Sequence, residues 1–184
     1  FFGLHRLLKT LYPEVHSRLN VETVNEYSLL YTWEGKDPSL NPIMLIAHLD
    51  VVPANESDWT HPPFSGELVE GYVWGRGTLD DKLSVIGILE AVDYLLKQGF
   101  QPERTVYLGF GHDEEIGGTN GASAISALLE SRGVRLGSVL DEGGSVINKF
   151  LPNVETPVGV IGISEKGYLS LRLIAEVNGG HSSM

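Results

Sequence analysis

Pro42-Ile43-Met44-Leu45-Ile46-Ala47-His48-Leu49-Asp50-Val51-Val52 is the stretch that decides the fold. From Ile43 to Val52 it is apolar except at His48 and Asp50. A short run that is apolar on both faces suits a central strand of a sheet covered on both sides. Similar runs recur at Thr105–Phe110, Ser138–Leu140 and Val158–Ile163, and Tyr27–Trp33 reads as a strand closed by Glu34-Gly35. Helical spacing appears between them. Leu4, Leu7, Leu8 and Leu11 end before Pro13, and Ile88, Leu89, Val92, Leu95 and Leu96 form a stripe stopped at Gly99. A further helix covers Ala122–Arg132 and stops at Gly133. Glu67-Leu68-Val69 and Tyr72-Val73-Trp74 flank Glu70-Gly71 as a hairpin. Strands alternating with helices give an α/β domain with a largely parallel sheet.

The chain changes character near Glu165. Leu169, Leu171, Leu173, Ala175 and Val177 alternate with Tyr168, Ser170, Arg172, Ile174 and Glu176, the period of a half-exposed antiparallel strand. A second domain is therefore expected to begin there, giving a division into residues 1–164 and 165–184.

Composition narrows the function classes. The 184 residues are 42% hydrophobic and 20% charged, with 13 Lys and Arg against 24 Asp and Glu, a net charge of −11. That balance excludes disorder and argues against nucleic-acid binding through phosphate attraction. No apolar run approaches the roughly 20 residues of a membrane span. Cysteine is absent, so a metal would have to be held by His, Asp and Glu. The chain opens at Phe1 without a Met and stops at Met184, so it is expected to be a piece of a longer protein. The sequon Asn55-Glu56-Ser57 is compatible with a secretory route but common by chance.

The chemistry gathers where strands end. His48-x-Asp50 closes the first buried run, Asp113-Glu114-Glu115 the second, and Asp141-Glu142 the third; Asp80-Asp81 stands where the hairpin runs into the long helix. Ligands of open α/β sheets bind at the carboxyl ends of strands. Four acidic sites converging on one edge repel one another unless cations sit among them, and Lys82 is the only base nearby in these motifs. Taken alone, His48 and Asp50 favour the reading of a buried histidine satisfied by a neighbouring carboxylate. Two apart on a strand, they share a face, so Asp50 can hold the His48 imidazole from behind. Of Asp80 and Asp81, one can cap the helix while the other bridges two cations roughly 3.5–4 Å apart. Glu114 and Glu115 in a turn point apart, so one can bind metal while the other serves as general base. Gly75-x-Gly77 lacks the third glycine and the βαβ setting of a dinucleotide loop, which speaks against a dehydrogenase.

HLDVVP, WTHPPFSG, GYVWGRGTLDDK, GFGHDEEIGG, VLDEGG, SEKG and GGHSS follow one another along essentially the whole chain. In that order they resemble the carboxypeptidase S / aminoacylase family of di-zinc metallopeptidases, in the branch of carboxypeptidase S and the N-fatty-acyl-amino-acid synthase/hydrolases. The resemblance implies a three-layer zinc-peptidase-like catalytic domain followed by the start of an α+β lid or dimerisation domain. It implies a hydrolase of amide bonds in peptides or N-acyl amino acids, with water activated between two zinc ions. By the same resemblance His48 binds one zinc and Asp50 orients it, Asp80 bridges both, Glu114 is the general base and Glu115 binds the second. Asp141 and Glu142 both stand as candidates to complete the first zinc, and His181 reaches a facing active site to stabilise the oxyanion. The family's last zinc ligand, a histidine, falls beyond Met184, so this stretch alone is expected to hold metal weakly and turn over little. A homodimer through the lid domain, a small-molecule or peptide substrate and a secretory compartment are further implications. The rival readings are a single-metal aminopeptidase and an inactive relative acting as a binding subunit.

Overall fold

The computed structural model describes residues 1–164, 167 and 169–174. The chain separates into two compact units, Phe1–Glu142 and Gly143–Met184. The first holds helices α1 (Phe2–Leu11), α2 (Pro13–Arg18), α3 (Lys82–Lys97) and α4 (Ala122–Ser131) and strands β1 (Asn20–Val24), β2 (Ser28–Trp33), β3 (Ile43–His48), β4 (Glu67–Val69), β5 (Tyr72–Trp74), β6 (Val106–Gly111) and β7 (Ser138–Leu140). Five strands form one mixed sheet in the order β1-β2-β6-β3-β7. β6, β3 and β7 run parallel, while β2 and β1 are added antiparallel at one side. β4 and β5 make the expected hairpin.

Strand pleat sorts the core into two layers. Leu29, Tyr31, Trp33, Ala47, Leu108 and Phe110 face α1, α2 and α3, meeting Leu8, Val15, Val85, Leu89, Val92 and Leu96. Leu30 and Met44 face the other way, toward Ile125 and Leu129 of α4. Gly109 makes room on that face, because a Cβ there would run into the Met44 side chain. The result is a three-layer α/β domain.

The connections decide where a site can form. From β3 the chain crosses through α3 on one face to β6, and from β6 it crosses through α4 on the other face to β7. Loops leaving the adjacent ends of β3 and β6 therefore part to opposite faces, which opens the crevice where ligands of α/β sheets bind.

Three local expectations change. β3 ends at His48, so Val51 and Val52 lie outside the strand. The run from Val158 forms only β9 (Val158–Gly159), paired antiparallel with β8 (Val146–Ile147). Residues 169–174 form no strand, and their leucines are exposed (Leu173 at 95%), because alternation specifies a face without supplying a strand to pair with. Residues 175–177 of that expected strand lie outside the described residues. No helix among the described residues is long and apolar enough to cross a membrane.

Candidate metal centre

His48, the last residue of β3, is 2% exposed. Its Nε2 lies 2.9 Å from Asp80 Oδ1, 3.3 Å from Glu142 Oε1 and 3.9 Å from Glu114 Oε2. Its Nδ1 lies 3.3 Å from Asp50 Oδ1 and 3.2 Å from the Asp50 carbonyl oxygen. Asp50 thus holds the imidazole as the sequence suggests, although from just beyond the strand. The Asp50 carboxylate also accepts the backbone N–H of Glu114 at 3.1 Å and of Glu115 at 3.0 Å, tying the ends of β3 and β6 together.

Asp80 and Asp81 divide their work differently from a capping pair. Asp81 occupies the N-cap position of α3 but makes no side-chain cap bond. Its buried carboxylate accepts the His48 backbone N–H at 3.1 Å. Two groups of side chains have ligand atoms within 4.8 Å of one another, His48 with Asp80 and Glu115, and His48 with Asp81 and Glu142. Asp141 instead turns its carboxylate onto the Glu142 N–H at 2.8 Å, and it lines a cavity together with His48, Glu114 and Glu142. His181 lies outside the described residues.

No lysine or arginine forms an ion pair with these carboxylates among the described residues. Lys82, the nearest base, donates to the Leu49 carbonyl oxygen at 3.2 Å, and burial lowers its pKa. The crowding shows in the other groups. Burial, then the neighbouring Asp81 charge, pushes Glu142 up to about 7. Glu114 is raised by burial and by Glu115, Asp50 and Asp80, against the lowering effect of His48. Burial disfavours charged His48, yet its bond to Asp80 and the charges of Glu142, Asp50 and Asp81 outweigh that and raise its pKa. Nitrogen and oxygen donors of this kind, short of positive charge, fit a divalent metal such as zinc.

The remaining histidines have structural partners. His5 bonds the Tyr27 carbonyl oxygen and His16 bonds Tyr31, and both are half-buried. His112 pairs with the buried Ser28 hydroxyl at 2.7 Å, and His61 packs on Trp74 and pairs with Glu67.

A histidine among carboxylates at the parallel strand ends of an α/β sheet makes a candidate metal centre. The chain belongs to Peptidase family M20/M25/M40, whose model matches residues 44–172. It is 46% identical to a probable carboxypeptidase S-like protein of Dictyostelium discoideum over 100% of this chain and 36% of that protein. It is 48% identical to the N-fatty-acyl-amino acid synthase/hydrolase of Homo sapiens over 98% of this chain and 35% of that protein. With carboxypeptidase S of Saccharomyces cerevisiae it shares 42% over 100% of this chain and 33% of that one. The chain thus spans about a third of the length of the curated relatives it matches. Among solved structures, the fold resembles an M20 metallo-carboxypeptidase of Sulfolobus solfataricus with a TM-score of 0.58 at 23% identity, covering 77% of this chain and 32% of that one. It also resembles the dipeptidase Dug1p of Saccharomyces cerevisiae with a TM-score of 0.59 at 20% identity, covering 80% of this chain and 34% of that one.

Proposed function

We propose that the whole protein is a zinc-dependent hydrolase of amide bonds in peptides or N-acyl amino acids. Residues 1–164 would belong to its catalytic domain, and residues 165–184 would open a lid or dimerisation domain. The observation that carries this reading is the His48 imidazole ringed by the carboxylates of Asp80, Glu114, Glu115 and Glu142 with no Lys or Arg ion pair among the described residues. Relatives named for carboxypeptidase and for N-fatty-acyl-amino acid synthesis and hydrolysis support this substrate class.

Two zinc ions, when bound, supply the positive charge that polarises the scissile carbonyl and acidifies the attacking water. His48, Asp80 and Glu115 would hold them, with Asp141 or Glu142 completing the first. Asp50 fixes the His48 ring and the Glu114–Glu115 turn together. Glu114, raised above the ordinary carboxylate value by burial and the neighbouring acids, would take a proton from water and deliver it to the leaving nitrogen. His181 would steady the oxyanion from a facing subunit.

In the whole protein loaded with zinc, Glu114→Gln is expected to keep metal and lose turnover by about 10²–10⁴-fold, whereas Asp80→Ala loses metal as well. Full turnover in Glu114→Gln would remove the assigned base. The single-metal reading draws on one fact, that both candidate groups use the same imidazole. Zinc stoichiometry of the whole protein separates the two.

A further inference from the structure

We propose that Asp113 is a positioning residue that sets Glu114 and Glu115 against His48 through a backbone clamp, an inference that rests on the roles proposed above for those two glutamates. Asp113 stands first in an acidic run and is only 5% exposed. A buried carboxylate is costly unless hydrogen-bonded, and no basic side chain pairs with it among the described residues. Its partners are backbone. Oδ1 accepts the Gly121 N–H and Oδ2 the Asn120 N–H, each at 2.7 Å. Its own carbonyl oxygen accepts the N–H of Gly118 at 2.8 Å and of Ile116 at 3.2 Å.

One residue therefore closes both ends of the loop that carries the two glutamates. Gly121 is the N-cap of α4 and brings no side-chain cap of its own. The Asp113 carboxylate supplies the missing acceptor at the positive end of that helix. The approach requires glycine, because a Cβ at position 121 would lie 2.6 Å from Asp113 Oδ1 and 2.8 Å from the His112 nitrogen. On the other side of the turn, Asp50 grips the N–H groups of Glu114 and Glu115. Two carboxylates thus hold the turn at opposite edges, Asp50 from just beyond β3 and Asp113 by its reach to the N–H groups that precede α4. Without the second hold the turn can swing about the first, and a displacement of about 1 Å at a catalytic group costs on the order of 10²-fold.

The test uses the whole protein loaded with zinc, assayed on a fatty-acyl amino acid and on a blocked dipeptide. Asp113→Asn keeps one acceptor and sets an amide NH2 against the second backbone N–H. The expected result is a kcat lowered about 10–100-fold with KM and zinc content unchanged, and faster hydrogen exchange at Asn120 and Gly121. Gly121→Ala attacks the same clamp from the helix side and should reproduce the kcat loss; it serves alone if Asp113→Asn does not fold. Leu8→Ala, in the core under α1, gives the comparison for a purely structural loss and should lower stability at unchanged kcat. Wild-type kcat in either clamp variant, with only a stability loss like that of Leu8→Ala, overturns the proposal. Glu114→Gln separates the layers of the argument. If it is inactive while Asp113→Asn turns over normally, the positioning role alone fails; if it is fully active, the reading of the turn itself fails.

Discussion

The two faces of the sheet are packed to different standards. Under α1, α2 and α3, residues such as Leu8, Val15, Tyr31, Leu89, Leu108 and Phe110 are completely buried in one continuous cluster. Under α4 the cluster is small, Val24, Leu30, Met44, Ile125 and Leu129, and beside it a cavity of about 760 Å³ runs from Ile46 and Leu136 to His48, Glu114 and Glu142. The centre straddles this contrast. β3 and α3 bring His48, Asp80 and Asp81 from the tight side, and the loop into α4 brings Glu114 and Glu115 from the open one. A site needs a rigid mount for its ligands and space for substrate, and here the two requirements fall on opposite faces.

The comparison breaks most visibly through core truncation. Phe110→Ala removes a fully buried ring from the tight face and should cost about 3–5 kcal/mol, whereas Leu129→Ala, on the cavity wall, should fall near 2 kcal/mol, at the low end for a leucine. Urea unfolding of the whole protein measures both. Equal losses would mean that the α4 face is packed as tightly as the other.

Metal removal acts next, and its pH dependence has a definite sign. Glu142, at about 7 in the fold against 4.5 ordinarily, keeps a proton that the unfolded chain has already released between those values. The metal-free protein therefore loses stability as pH rises through that window. His48 adds to the trend. Its raised folded value gives stability that is full below 6.5 and disappears as pH rises through that folded value. Chelated protein should be more stable at about pH 5.5 than at about pH 8. Zinc should stabilise it increasingly toward the higher pH, because ligands bind deprotonated, by roughly 3 kcal/mol at a hundredfold excess over Kd. Thermal unfolding with and without chelator checks this. A chelated protein that gains stability on going to pH 8 would contradict the crowding at His48.

Much of this was legible from sequence because burial on both faces leaves an unbroken apolar run. β3 and β6 follow from that signal, α3 from its helical stripe and its stop at Gly99, α4 from its stop at Gly133, and the hairpin from Glu70-Gly71. β1 leaves no strand signal in the sequence, since Asn20 and Glu22 interrupt the apolar pattern of this edge strand. α2, six residues long, is too short to show a helical period. In the centre, His48, Asp80, Glu115 and Glu142 stand out because each follows a strand or opens a helix. Asp81 and Asp113 carry the same mark, Asp113 after β6 and Asp81 at the start of α3, but the mark does not separate them from their acidic neighbours. Their work is to accept backbone N–H groups, and residue type alone does not reveal which peptide a carboxylate will meet.

The smallest expected effect tests how the looser face is held at its outer edge. Arg132, just past α4, donates from Nη1 and Nη2 to Glu22 Oε1 and Oε2 of β1 at 2.8 and 2.7 Å. The two side chains are 41% and 29% exposed, so solvent screens the pair, and a double-mutant cycle with Arg132→Ala and Glu22→Gln should give about 0.5–1 kcal/mol. The bond from Arg132 holds Glu22 below its usual value. Its contribution is accordingly present above the ordinary carboxylate pKa and lost as pH falls through the lowered one. The coupling should shrink in acid and in high salt together. A coupling above about 2 kcal/mol, beyond what an exposed pair supplies, would mean that α4 is fastened by charge more than by Ile125 and Leu129. The open face would then owe its position to its rim.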